Sequence, residues 1–288
     1  MSTKFDKEKF TKILENDSWL NAIEYKDEFV PKTLYKYFPL FDERFVKYEE
    51  ENEKRFNSLE ESKIWVSGYD QLNDPFEYKM FTMDKERLRG SGWEIKDIEF
   101  FFERIRKSIL TTCFSGETEN NMPLWAHYAN NHAGYCVKYR VNNPKPLYPV
   151  FYEPKRVKTA VIPTNIYSAL ISASTNDAHM PSENFYKYST YFNISLCCKH
   201  QLWEYENEYR LLYPTINSPN GQLVSIDEIG MEIESIFVGF KTKGENRQRL
   251  IEIAKKLNCN IYEMYFNEYS EEFKLQSKRI LGENNMLE

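Results

Sequence analysis

The sequence predicts an α+β fold: a single domain with a mixed, mostly antiparallel central sheet and helical insertions. Three observations carry this. Strand-like and helix-like segments interleave along all 288 residues rather than separating into blocks. Residues 235–240, 245–257 and 260–266 read strand, helix, strand, the pattern of a βαβ unit. No internal repeat and no low-complexity linker divides the chain. The expected organisation is an N-terminal helical extension at residues 1–30, one domain at 31–281 and a frayed C-terminus at 282–288.

Residues 4–29 read as one or two amphipathic helices, with Phe5, Phe10, Ile13, Leu14 and Leu20 near helical spacing. Pro31 ends them. The aromatic run 34–38 is a strand, 43–59 a charged helix ending near Glu61, and 63–67 a strand. A loop at 68–74 leads into a helix opening at Pro75. Residues 93–109 give an amphipathic helix and 110–114 a central strand. A short helix from Pro123 stops before Gly134, and strands follow at 135–139 and 148–152. Residues 165–195 are helical or mixed. Residues 206–213 alternate as a strand that Pro214 ends, and a last strand is expected at 273–280 after the βαβ unit.

Composition excludes several function classes. The net charge of −6 and pI near 5.5 argue against a general electrostatic grip on duplex nucleic acid. The best basic cluster, Lys155, Arg156 and Lys158, reads as a solvated loop. Five cysteines without a CxxC or zinc spacing read as reduced thiols of a cytoplasmic protein, with no metal site expected. No stretch approaches a membrane span and no signal-peptide pattern opens the sequence. Two glycines flank Lys241–Lys243 without the spacing of a phosphate loop. The high aromatic content, 21 Tyr, 20 Phe and 5 Trp, supplies the core first and leaves material for a stacking pocket.

Three aromatic, ionisable segments stand out. In Asn73-Asp74-Pro75-Phe76-Glu77, Asp74 and Pro75 suit a helix cap with Glu77 closing a capping box, while Asn73 and Glu77 serve equally as pocket groups. In Trp125-Ala126-His127-Tyr128-Ala129, Trp125 is expected to anchor its helix and His127 to titrate near neutrality. In Trp203 through Arg210, alternation puts Glu204, Glu206, Glu208 and Arg210 on one strand face. Such acids either join a surface ion-pair network or face a polar ligand, holding ribose hydroxyls or stabilising positive charge at a sugar carbon. Ser115, after Cys113-Phe114, has no His or Asp beside it in sequence, which gives only a weak nucleophile signal.

Together with Leu34-Tyr35-Lys36-Tyr37 and Cys113-Phe114-Ser115, these segments resemble, in order from about Thr33 to Phe266, a bacterial family numbered twenty-nine seventy-one among domains of unknown function. A more distant resemblance is to ADP-ribosyltransferase-like proteins. It matches Tyr35 or Lys36 on a first strand, Trp65, Ser67 and Tyr69 on a second, and Glu206 or Glu208 on a closing acidic strand. The first motif lacks a clear His or Arg, and the 73–77 loop belongs to the nearer family. The resemblance implies a domain that binds NAD as substrate and cleaves its nicotinamide–ribose bond, with a role in bacterial conflict or phage defence. Glu206 and Glu208 would be catalytic, and Tyr35, Lys36, Ser67, Tyr69, Asn73, Glu77, Trp125, His127 and Arg210 would bind the nucleotide. The acceptor would be protein, nucleic acid or water, with no membrane partner. Two other expectations stand beside it: a non-enzymatic sensing module on the same pocket, and a hydrolase using His127 or Ser115.

Overall fold

The computed structural model describes residues 4–175, 181–218 and 220–280. The expected frayed C-terminus at 282–288 lies outside them. The chain opens with α1 (Lys7–Asn16) and α2 (Trp19–Asp27), capped by Asp6 and Ser18, whose side chains accept from the Lys9 and Asn21 amides. Then come β1 (Thr33–Phe38), α3 (Tyr48–Glu60), β2 (Lys63–Ser67), β3 (Phe81–Met83), α4 (Lys85–Gly90), α5 (Ile95–Lys107) and β4 (Ile109–Ser115). The middle of the chain forms α6 (Met122–Tyr128), β5 (Tyr135–Val141), β6 (Leu147–Pro149), β7 (Phe151–Glu153), β8 (Val157–Thr159), α7 (Val161–Thr175), α8 (Glu183–Ser195) and β9 (Cys198–His200). The last elements are β10 (Glu208–Pro214), β11 (Gly221–Ser225), β12 (Met231–Val238), α9 (Gly244–Leu257), β13 (Asn260–Phe266) and β14 (Leu275–Arg279).

The fold is α+β. The main sheet runs β11-β2-β4-β1-β5-β12-β13-β14, with β10 on β4 and β6 on β10. Its pairings are antiparallel except β12 with β13, which α9 joins as the expected βαβ unit. One core cluster packs α3 and α9 on the sheet through Phe56, Leu59, Leu250 and Ile253. A second packs α1, α2, α5 and α8 through Phe10, Tyr25, Ile98 and Phe192. Each such side chain contributes about 1.5–3 kcal/mol by leaving water. The fully buried Lys26 ties α2 to the strand before β7. Its ammonium donates to the carbonyls of Pro144, Lys145 and Leu147 at 2.7–3.1 Å.

Four elements depart from the sequence reading. α3 starts at Tyr48 rather than 43, because the Asn52 amide clamps both backbone groups of Phe41 at 2.9 Å and holds the preceding chain in a loop. No helix opens at Pro75. Asp74 instead accepts from the Phe76 amide at 2.8 Å, and the Glu77 amide closes a turn onto the Asp74 carbonyl. Proline in second place suits such a turn as well as it suits a helix start. The strand expected at 148–152 is two: Pro149, with no N–H, ends β6 on β10, and β7 pairs with β9. The acidic strand begins at Glu208, so Glu204 and Glu206 lie in a 3-10 turn at Gln201–Glu206.

Among the described residues no helix is long and apolar enough to cross a membrane.

Candidate functional site

The site begins with a split in the sheet. Along one edge β4 pairs fully with β10, from Ile109 to Ser115. Along the other it meets β1 only at Ser115, opposite Tyr35, and β2 only at Thr111, opposite Ser67. The stretch between is open, and the Lys36 ammonium reaches across to the Cys113 carbonyl at 3.0 Å. Registers place Tyr35, Ser67, Thr111, Cys113, Ser115, Glu208 and Arg210 on one face of the sheet around this gap.

Two turns feed charged side chains onto that face. After the Asp74 turn, Tyr78 takes a left-handed conformation (φ 58°). That conformation breaks helical continuation, and Glu77 and Tyr78 both end up buried. In the second turn, His200 Nδ1 accepts from the Leu202 amide and opens the 3-10 segment. Asn207 ends it in a left-handed conformation (φ 42°), which starts β10. The two glutamates therefore do not alternate along a strand. They converge on Lys199 of β9, Glu206 at 2.7 Å and Glu208 at 2.6 Å.

Arg210 completes the network. It is fully buried, donates through Nε to Glu208 at 2.6 Å, pairs through Nη2 with Glu77 at 2.6 Å and donates through Nη1 to the Leu196 carbonyl at 2.5 Å. Lys199 also lies 3.6 Å from Glu77. Three carboxylates thus share two cations, and Tyr128 donates its hydroxyl to the remaining oxygen of Glu206. Burial would raise the Glu208 pKa, but Arg210 and then Lys199 offset it and hold the carboxyl well below its ordinary value. At Glu77 and Glu206 burial dominates, and both are raised despite Arg210 and Lys199 respectively. Burial would lower Lys199 and Arg210, and the surrounding carboxylates, Glu208 foremost, raise both instead.

A cavity of about 850 Å³ opens at the split. That is large enough for a nucleotide-sized ligand. Its lining includes Tyr35, Lys36, Ser67, Asn73 and Glu77, together with Glu206, Glu208 and Ser115. Tyr69, Trp125, His127 and Arg210 do not line it. Tyr69 stacks on Tyr78 and donates to Glu103. Trp125 is fully buried, its indole N–H on the Glu119 carbonyl, and anchors α6 as expected. His127 is exposed, with Nδ1 3.0 Å from the Tyr205 hydroxyl. Arg210 acts from beneath, through Glu77 and Glu208. Glu204 faces outward to Lys4. The Ser115 hydroxyl donates to the Glu206 carbonyl at 2.7 Å, so it is not paired with a base.

Residues 124–211 match the model of a family described as a protein of unknown function, DUF2971. No curated protein and no solved structure matches the chain. The matched segment supplies Tyr128, Lys199, Glu206, Glu208 and Arg210, while Glu77 and the walls of the split come from the chain before it. Sequence reasoning missed Lys199. The available signal was charge balance, since Glu77, Glu206 and Glu208 cannot be buried on Arg210 alone.

Lys36 is unusual among the described cations of the lining. Lys54, Arg55, Lys63 and Lys199 each have a carboxylate within ion-pair distance, and Lys36 has none. Burial holds its pKa below the ordinary lysine value, offset in part by Cys113 and Glu208.

Proposed function

We propose that the cavity binds a nucleotide, with NAD as substrate, and that Glu206 acts on the ribose as the nicotinamide bond breaks. The observation that carries this reading is the asymmetry of the two glutamates on the cavity floor. Both Glu208 oxygens are held by cations, Arg210 on one and Lys199 on the other. Glu206 has one oxygen on Lys199 and the other on a neutral phenol, Tyr128. A ribose hydroxyl can replace that phenol without stripping an ion pair. The catalytic role therefore goes to Glu206, and Glu208 positions Lys199.

The chemistry is dissociative. The C1′–N bond breaks, its electron pair leaves with nicotinamide, and the sugar carbon becomes cationic. The network carries three carboxylates and two cations, a formal excess of one negative charge, which favours a cation beside Glu206. The acceptor nucleophile, on protein, nucleic acid or water, then bonds to C1′ and gives up its proton to Glu206. Lys36, the ammonium without a carboxylate, suits the pyrophosphate. Asn73 and Ser67 suit amide or ribose groups, and Tyr35 suits the nicotinamide ring. Within this reading the protein is a cytoplasmic effector, in line with bacterial conflict or phage defence.

Paired substitutions test the assignment. Glu206→Gln should abolish nicotinamide release with little change in thermal stability. Glu208→Gln should cost stability first, because it removes the charge that holds Lys199 and Arg210. Equal loss of activity with intact folding in both would contradict the split of roles.

A specific observation favours a second reading, a sensing module without turnover. Each of the five network groups has an opposite charge within ion-pair distance, which holds the cluster together without a substrate. NAD binding with no nicotinamide release, unaltered by Glu206→Gln, would select it.

A further inference from the structure

We infer that Trp65 is the platform on which the nucleobase of the ligand stacks, and that it sets the preference for a nucleotide over a bare sugar phosphate. This rests on the nucleotide-binding reading above and names a subsite within it.

Strand β2 alternates so that Ile64 and Val66 point into the core while Lys63 and Trp65 stay exposed. Trp65 is 47% exposed and lines the cavity, beside Leu223, its partner on β11, which is 46% exposed. A half-bare indole and leucine side by side on a cavity wall form an apolar surface with nothing on it. The indole is also held in place. Gly221 on β11 has φ +119°, and a Cβ there would lie 2.5 Å from the Trp65 ring. The absent side chain is what lets the ring lie against the β11 backbone, fixed from behind and free in front. A rigid ring with one free surface is suited to stacking a planar partner.

The occupant follows from charge. Lys36, on the other side of the gap, is an ammonium with no carboxylate partner among the described residues. A ligand that satisfies both is planar, aromatic and anionic, which describes a nucleotide. Ser67 of β2 faces Thr111 of β4, so the antiparallel register sets Trp65 level with Cys113, whose carbonyl Lys36 holds across the gap. The stacking wall and the free ammonium therefore flank the same stretch of the open edge.

Calorimetric titration of the full chain with AMP and with ribose 5-phosphate tests this in wild type, Trp65→Ala and Trp65→Phe. Trp65→Ala should weaken AMP roughly tenfold or more and leave ribose 5-phosphate unchanged. Trp65→Phe keeps a ring and should recover most of the AMP affinity, which separates stacking from damage to β2. AMP binding by Trp65→Ala at wild-type affinity would overturn the platform while leaving NAD cleavage standing. So would an equal loss for AMP and ribose 5-phosphate. A Trp65-dependent AMP site in a protein that releases no nicotinamide would sustain the platform and remove the cleavage. A wild-type chain that binds neither AMP nor NAD would overturn both.

Discussion

Glu208 and Glu206 sit two residues apart and meet the same ammonium, yet differ in what else holds them. Arg210 anchors Glu208 and Glu77 from a position with no exposure to solvent. Arg210→Met should therefore destabilise by about 3–5 kcal/mol in denaturant unfolding, the usual cost of leaving buried charge without its partner. Arg210→Lys should rescue it poorly, because a point charge cannot span both carboxylates. The raised carboxyls also set a pH dependence. Glu206 and Glu77 bind protons more tightly in the fold than at the ordinary glutamate value of 4.5. Just above pH 4.5 the native state thus holds more of these protons than the unfolded chain, and their contribution to stability falls as pH rises. Glu208 works in the opposite sense, stabilising above pH 4.5 and losing that contribution only as pH falls through its depressed value. Glu206→Gln should flatten the downward slope of melting temperature against pH above 4.5; an unchanged slope would mean that Glu206 titrates normally. The acids were legible in the sequence as a cluster. Lys199 was not, since a lysine between Cys198 and His200 carries no local mark of burial and declares itself only through its partners.

Two short turns decide the site, and both were misread for the same reason. Asp74-Pro75 satisfies the rules for a helix start and for a turn alike, and local sequence cannot choose between them. The choice is tertiary: Glu77 is drawn to Arg210, and Tyr78 goes left-handed to let it. Likewise the alternation of Glu204, Glu206 and Glu208 has the period of a strand, but Asn207 inverts the backbone between Glu206 and Glu208. Asparagine is among the few residues that tolerate this conformation. Asn207→Ala should lose about 1 kcal/mol and weaken activity, while Asn207→Gly should retain both, as read by melting and by nicotinamide release. Loss in the glycine variant would assign Asn207 a side-chain role through its contact with Glu117 instead. The regular elements were far more legible. β1, β2, β4, α5, α9 and β13 fall close to their expected bounds because their burial follows the strand or helix period.

Across the molecule, the sheet carries two packed faces and one break. The break is what makes a cavity, and no periodicity signals it, since it arises from which strands β4 does not pair with. The first two helices belong to the same cluster as α5 and α8, with Phe10 and Ala22 free of solvent contact and Lys26 bonded to three distant carbonyls. Deleting residues 4–29 should expose that face and broaden or abolish cooperative unfolding; a sharp transition at the wild-type temperature would show that the helices are dispensable.

On the proposed reading, a cavity in a split sheet delivers a nucleotide to Glu206. Incubating the purified full chain with NAD, alone and with cell lysate as acceptor source, and measuring free nicotinamide tests it most directly. The wild type should release nicotinamide and a folded Glu206→Gln variant should release none. No release under either condition, with no NAD binding by calorimetry, would contradict it.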